Sequence, residues 1–102
     1  MAEFVRAIAA ADLAPGSCME VLVGQQPVAL CNVDGTFYAL HNTCLHRRGP
    51  LGQGMLDGHV LMCPWHAWTF DVRTGCHTMN DALKVARYEV KVEDGQVLVK
   101  VE

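Results

Sequence analysis

An all-β fold of antiparallel sheets is what this sequence predicts, on three observations. Asp-Gly dipeptides at 34–35, 57–58 and 94–95 each stand between short aliphatic runs, and Asp-Gly tolerates the positive φ that tight hairpins demand. The runs themselves are rich in β-branched and aliphatic side chains, the composition of strands. No stretch keeps a helical apolar period for three turns.

The elements follow in chain order. Phe4–Ile8 starts a strand, and Asp12-Leu13-Ala14-Pro15-Gly16 turns the chain. Met19–Val23 and Val28–Val33 read as strands, and Asp34-Gly35 joins the second to Thr36–Leu40. Asp57-Gly58 joins 54–56 to His59–Met62, and Asp94-Gly95 joins Tyr88–Val92 to Val97–Val101. Thr69–Val72 followed by Arg73-Thr74-Gly75 gives one more strand and turn, and Asn80–Arg87 is the place for a short helical turn. There is no repeat, linker or low-complexity stretch. A chain of 102 residues fits one domain, with residues about 41–79 forming a small sub-structure on a β base.

Composition excludes several function classes. Hydrophobic residues make up 51% and charged residues 19%, with a formal net charge of −3 and a pI of about 5.9. A mildly acidic surface lacks the basic patch that phosphate backbones require, which argues against a nucleic-acid partner. The N-terminus has no basic n-region or apolar h-region, and no run approaches the length of a membrane span. The expectation is a soluble cytoplasmic protein, where thiols stay reduced. An odd number of cysteines, five, also argues against a disulfide framework. Cys18, Cys31 and Cys76 are scattered and read as small buried apolar residues.

Two blocks carry the chemistry. Cys44-Leu45-His46 and Cys63-Pro64-Trp65-His66 each offer one thiolate and one imidazole, as C-x-H, 16 residues, C-x-x-H. Both follow strands, and Gly49, Pro50, Gly52, Gly54 and Gly58 fill the interval with turn formers, so two loops reach toward each other. Four such ligands suit a structural zinc, but zinc fingers pair Cys with Cys and His with His. Mixed pairs in both halves favour a [2Fe–2S] cluster with two Cys on one iron and two His on the other. Zinc stands as the alternative. A Cys–His nucleophile would leave the second pair unexplained. His41, His59 and His77 have no such setting and are not expected to be ligands.

Here the residues carry a family resemblance. Cys44-Leu45-His46-Arg47-Arg48-Gly49-Pro50-Leu51, then 54–58, then Cys63-Pro64-Trp65-His66-Ala67-Trp68-Thr69-Phe70-Asp71 with Gly75, strongly resembles Rieske-type proteins. Nearly the whole chain is similar to the Rieske-type ferredoxins of bacterial multicomponent dioxygenases that hydroxylate aromatic rings. The resemblance implies a Rieske iron–sulfur fold: three antiparallel β-sheets including a small cluster-binding subdomain. It implies one [2Fe–2S] cluster on Cys44, His46, Cys63 and His66. It also implies passage of one electron from an NAD(P)H-dependent flavin reductase to a terminal Rieske oxygenase, by a carrier with no catalytic residues of its own, monomeric when free.

Departures from neighbouring families sharpen this. Rieske subunits of cytochrome bc complexes carry a disulfide between the cluster loops, where this chain has Gly49 and Trp65. They also place a serine two residues after the second His, where this chain has Trp68. Fewer donors to the cluster sulfurs imply a low potential, toward roughly −150 mV in the Rieske range. Ala67 stands where many relatives have Gly. No proline follows Pro64 to form the usual third loop, leaving Asn80-Asp81-Ala82 to cover that side. Leu45, Pro64 and Trp65 shield the cluster and offer an apolar docking centre, rimmed by Arg47 and Arg48 unless these merely line a solvated turn. Two rival functions share the fold: the small subunit of an assimilatory nitrite reductase, and a Rieske domain of an oxygenase. A complete oxygenase needs a mononuclear iron site on a much larger catalytic domain.

Overall fold

In the computed structural model, residues 4–42, 50–64 and 68–100 are described, with only the backbone at 81. The strands are β1 (Phe4–Ala9), β2 (Ser17–Val23), β3 (Gln26–Val33), β4 (Thr36–His41), β5 (Met55–Asp57), β6 (Val60–Met62), β7 (Thr69–Asp71), β8 (Cys76–His77), β9 (Asn80–Lys84), β10 (Arg87–Glu93) and β11 (Gln96–Lys100). Short 3-10 turns occupy Ala10–Asp12 and Leu51–Gln53. A six-stranded sheet in the order β1-β11-β10-β4-β3-β2 forms the base, and β5-β6-β7-β8-β9 forms a smaller second sheet. Among the described residues, the paired strands run antiparallel.

The resemblance implied three sheets. Here the two three-stranded halves of the base are continuous, because Arg87 and Tyr88 pair with Leu40 and Ala39 across the join. Both halves contribute to one core: Val23, Val28, Leu30 and Ala39 meet Leu13, Val97 and Val99. A second core lies between the base and the small sheet, where Ala29, Cys31, Val33 and Leu40 meet Leu51, Leu61, Phe70 and Val72. The period-2 alternation of a strand sends alternate side chains to opposite faces. In β3 both faces are covered, so Val28–Val33 is buried throughout. That explains its run of small and apolar residues, interrupted only by Asn32.

The hairpins agree with the Asp-Gly reading at two sites of three. Asp34 and Gly35, like Asp94 and Gly95, all have positive φ, and both close two-residue turns, at Val33–Thr36 and Glu93–Gln96. The third turn falls one residue late. Asp57 pairs with Val60, so Gly58 and His59 are its central residues, and Gly58 alone takes positive φ, at 59°. Glycine at the first central position is the other favoured hairpin geometry. The helical turn expected at Asn80–Arg87 is instead strand β9 and the start of β10. Leu83 is partly exposed there and Val85 buried; the edge pairing of β9 with β8 decides its conformation rather than local propensity. Asn80-Asp81-Ala82 lies in this strand, at the edge of the small sheet.

Buried polar groups are matched to the turns. Asn32 is 4% exposed; its amide donates to the Leu13 carbonyl at 2.8 Å and its Oδ1 accepts from the Gly35 N–H at 2.8 Å. Replacing it by alanine orphans both backbone groups. Asn32→Ala is expected to cost about 1–3 kcal/mol, read as a lower urea midpoint with an unchanged m-value.

Candidate iron–sulfur site

Cys44, His46 and His66 lie outside the described residues, as do Leu45, Arg47, Arg48, Gly49, Trp65 and Ala67. Of the four expected ligands, Cys63 is described: it is 1% exposed and packs in the core between the two sheets. The stems that carry both blocks are also described, and each is closed by hydrogen bonds.

The first stem is closed by Asn42, at the end of β4 and 6% exposed. Its carbonyl accepts from the Leu51 N–H at 2.7 Å, and its Oδ1 accepts from the Gly52 N–H at 2.8 Å. Its amide donates to Glu20 Oε2 at 2.6 Å, and the other Glu20 oxygen accepts from Gln53. The chain segment bearing Cys44 and His46 thus leaves the base and returns to it at one clamp. The second stem is closed by the Cys63 N–H donating to the Trp68 carbonyl at 2.7 Å.

Two glycines bring the stems together. A Cβ on Gly54 would lie 1.8 Å from the Met62 carbonyl oxygen, and one on Gly52 would lie 2.6 Å from the Glu20 backbone nitrogen. Neither has positive φ. These glycines read as turn formers in the sequence, but the structure uses them for close approach. Gly54 sets the return of the first stem against the residue that precedes Cys63. Between the stems, Gln53, Gly54, Met55, Met62, Cys63 and Pro64 line an open cleft of about 310 Å³.

The aromatic surroundings are ordered. Trp68 meets His77 edge-on at 4.6 Å, and His77 meets Phe70 at 5.6 Å. His77 Nδ1 accepts from the Met79 N–H at 3.0 Å. His59 packs edge-on against Tyr38 at 5.9 Å. Both imidazoles are used in packing. No group of three or more His, Cys, Asp or Glu is gathered for a metal among the described residues. Beside the second stem, Arg73 pairs with Asp71 at 2.8 Å; hydrogen bonds from Arg73 hold that carboxyl below its usual range.

The cysteines outside the blocks differ in part from expectation. Cys31 is fully buried, but Cys18 and Cys76 are only half-buried. Cys18 pairs with Cys31 across β2 and β3, and its thiol donates to the Gly54 carbonyl at 3.3 Å. Asn42 and Glu20 escaped the sequence reading altogether. A polar Asn between the β4 strand and Cys44 was the available signal, since Asn commonly anchors loop ends through its side chain.

A buried thiolate donor on a closed stem, apposed to a second closed stem that carries another thiol and an imidazole, fits a cluster bound between two loops. Comparison with known proteins agrees. The Rieske [2Fe–2S] domain family matches residues 3–89. A ferredoxin of Metapseudomonas resinovorans is 37% identical over 94% of this chain and 92% of its own length. The ferredoxin component of biphenyl 2,3-dioxygenase from Rhodococcus jostii is 37% identical over 89% of this chain and 86% of its own. A solved complex of reduced oxygenase and oxidized ferredoxin in carbazole 1,9a-dioxygenase contains a chain 36% identical to this one, with a TM-score of 0.85 over 95% of this chain and 92% of that one. A nitrite reductase small subunit at 22% identity and a TM-score of 0.82 shares the fold alone.

The chain belongs to the Rieske [2Fe–2S] family and, within it, to the ferredoxin components of dioxygenase systems. Its cofactor is a Rieske-type [2Fe–2S] cluster, and its role is that of an electron carrier rather than a catalytic subunit. No described helix is long and apolar enough to cross a membrane.

The Gly54 contact gives a direct test. Gly54→Ala is expected to drive the stems apart and lose most of the iron and visible absorbance, with the β far-UV signature retained. Gly58→Asn is the control: a Cβ there meets nothing within 4 Å, and Asn accepts positive φ. It is expected to keep its full iron content.

Proposed function

We propose that the chain is a soluble cytoplasmic carrier that accepts one electron from an NAD(P)H-dependent flavin reductase and delivers it to a terminal Rieske oxygenase. The observation that carries this reading is the match, over nearly the full length of both partners in the alignment, to ferredoxin components of dioxygenase systems. The cluster-binding subdomain spans residues about 41–79. In it Cys44 and Cys63 hold one iron, and His46 and His66 hold the other. The carrier works as a monomer when free.

When bound, the cluster supplies one-electron redox chemistry. The residues of the chain tune and expose it. Two neutral imidazoles in place of two thiolates make the ligand set less negative and favour the reduced form relative to a four-Cys ferredoxin. Burial of Cys63 keeps its iron-binding end away from water. Around it the surface is apolar and open: Pro64 is exposed, and Met55 and Met62, opposite one another on β5 and β6, are 74% and 39% exposed. An apolar centre beside the cluster suits brief docking of a redox partner, which desolvates the contact without a permanent interface.

Rapid mixing tests the assignment. The reduced protein is expected to be reoxidised by the oxygenase of a carbazole-type system, and reduced again by its reductase with NAD(P)H. Cys44→Ala and Cys63→Ala are expected to lose the cluster and this activity, while Cys76→Ala keeps both. Transfer to a sirohaem nitrite reductase in place of the oxygenase would overturn the reading. Film voltammetry is expected to place the potential near roughly −150 mV, the low end of the Rieske range; a value near the high end would contradict the inferred shortage of donors to the sulfurs.

A further inference from the structure

We infer that Cys18 and Cys31 are a peroxide-oxidisable dithiol that closes to a disulfide across β2 and β3. The two residues are direct partners in the antiparallel register. The parity of the ladder decides which kind of pair they form. The two-residue turns make Val23–Gln26 and Val33–Thr36 the closing pairs of their hairpins, and closing pairs of such turns exchange both hydrogen bonds. Counting back in twos, Val28, Leu30 and Asn32 direct their backbone groups to β2, and Cys31 directs its own to β4. Two loop contacts agree: the Asn32 carbonyl accepts from Gly16 on the β2 side, and the Pro27 carbonyl accepts from Asn42 on the β4 side. Cys18–Cys31 is therefore a non-hydrogen-bonded pair. Such pairs have Cα atoms about 4.5 Å apart with side chains in contact, inside the range a disulfide spans.

Their surroundings divide the labour. Both side chains face the core between the sheets. Cys31 is fully buried, while Cys18 is half-buried and lines a surface cleft with Gly16, Ser17, Gly54, Met55 and Leu56. The Cys31 thiol donates to Cys18 Sγ, which lowers the Cys18 pKa and, with burial, raises that of Cys31. The Gly54 carbonyl works against ionisation of Cys18 at 3.3 Å, but the Cys31 bond remains when that proton leaves. Cys18 is thus the accessible nucleophile and Cys31 the resolving thiol.

The chemistry balances with hydrogen peroxide as the two-electron oxidant. The Cys18 thiolate attacks one peroxide oxygen, breaking the O–O bond, and gives the sulfenic acid; hydroxide leaves and takes up the proton of the thiol as water. Cys31 then attacks the sulfenic sulfur, the S–O bond breaks, and a second water departs with the Cys31 proton. Two thiols and one peroxide become one disulfide and two waters. The closed form lacks the Cys18 S–H that donates to the Gly54 and Gly52 carbonyls. Oxidation is therefore sensed where the base meets the returning first stem.

The test treats the cluster-loaded protein with one equivalent of hydrogen peroxide, followed by alkylation under denaturing conditions and peptide mass spectrometry. The visible spectrum is recorded before denaturation. A Cys18–Cys31 linked peptide is expected in most molecules while the cluster absorbance persists. Cys31→Ser is expected to trap a dimedone-reactive sulfenic acid at Cys18, and Cys76→Ser to leave the linkage unchanged. Full alkylation of both thiols after peroxide overturns the proposal. So does a linkage that forms only as the cluster is lost, or oxidation of Cys18 to the sulfinic acid with Cys31 still a free thiol.

Discussion

The fold hangs on β3, which is buried on both faces. Val28 and Leu30 close the core of the base, and Ala29, Cys31 and Val33 close the core beneath the small sheet. Together with Leu40 of β4, this layer seats the second sheet: Leu61, Phe70 and Val72 are all fully buried in the core they share. Each fully buried Leu or Phe is worth about 1.5–3 kcal/mol. A strand with one polar face would leave the small sheet, and both stems attached to it, without a seat. The small residues on the outer face of β3 matter equally, since they let the second sheet approach closely.

Packing alone does not make a site. The base must hand the chain out to the first block and take it back, and Asn42 performs both tasks with its carbonyl and side-chain oxygen. Glu20, on β2, accepts from Asn42 and Gln53, tying the clamp to the base sheet. Gly52 lets the returning turn lie flush on β2, and Gly54 sets it against Met62. A ligand set split over two loops depends on this kind of support, because ligands gain affinity when the surrounding bonds already hold them in place. Binding then returns the favour: an ion cluster bridging two stems contributes its binding free energy to folding.

The sequence made much of this legible. Asp34-Gly35 and Asp94-Gly95 fall at hairpins because both corners require positive φ, a demand local to two residues. At 57–58 the same dipeptide misled by one position, because a single glycine at the first corner satisfies a different turn. The mixed Cys/His spacing favoured a cluster over zinc, and the longer resemblance around both blocks pointed to the family. Asn80–Lys84 escaped because an edge strand takes its conformation from its neighbour. Asn42, Gly52, Gly54 and the Cys18–Cys31 pairing also escaped, since each acts through a contact far away in sequence. Gly54 meets Met62, Asn42 meets Glu20, and Cys18 meets Cys31 only once register is fixed.

The central claim is that Cys44, His46, Cys63 and His66 hold one mixed-ligand [2Fe–2S] cluster between the two stems. Pulsed EPR of the dithionite-reduced protein tests it most directly. The account predicts strong hyperfine couplings to the nitrogens of two histidines, with one set lost in His46→Cys and the other in His66→Cys. A spectrum without histidine nitrogen couplings, or a colourless protein that binds zinc, would contradict it.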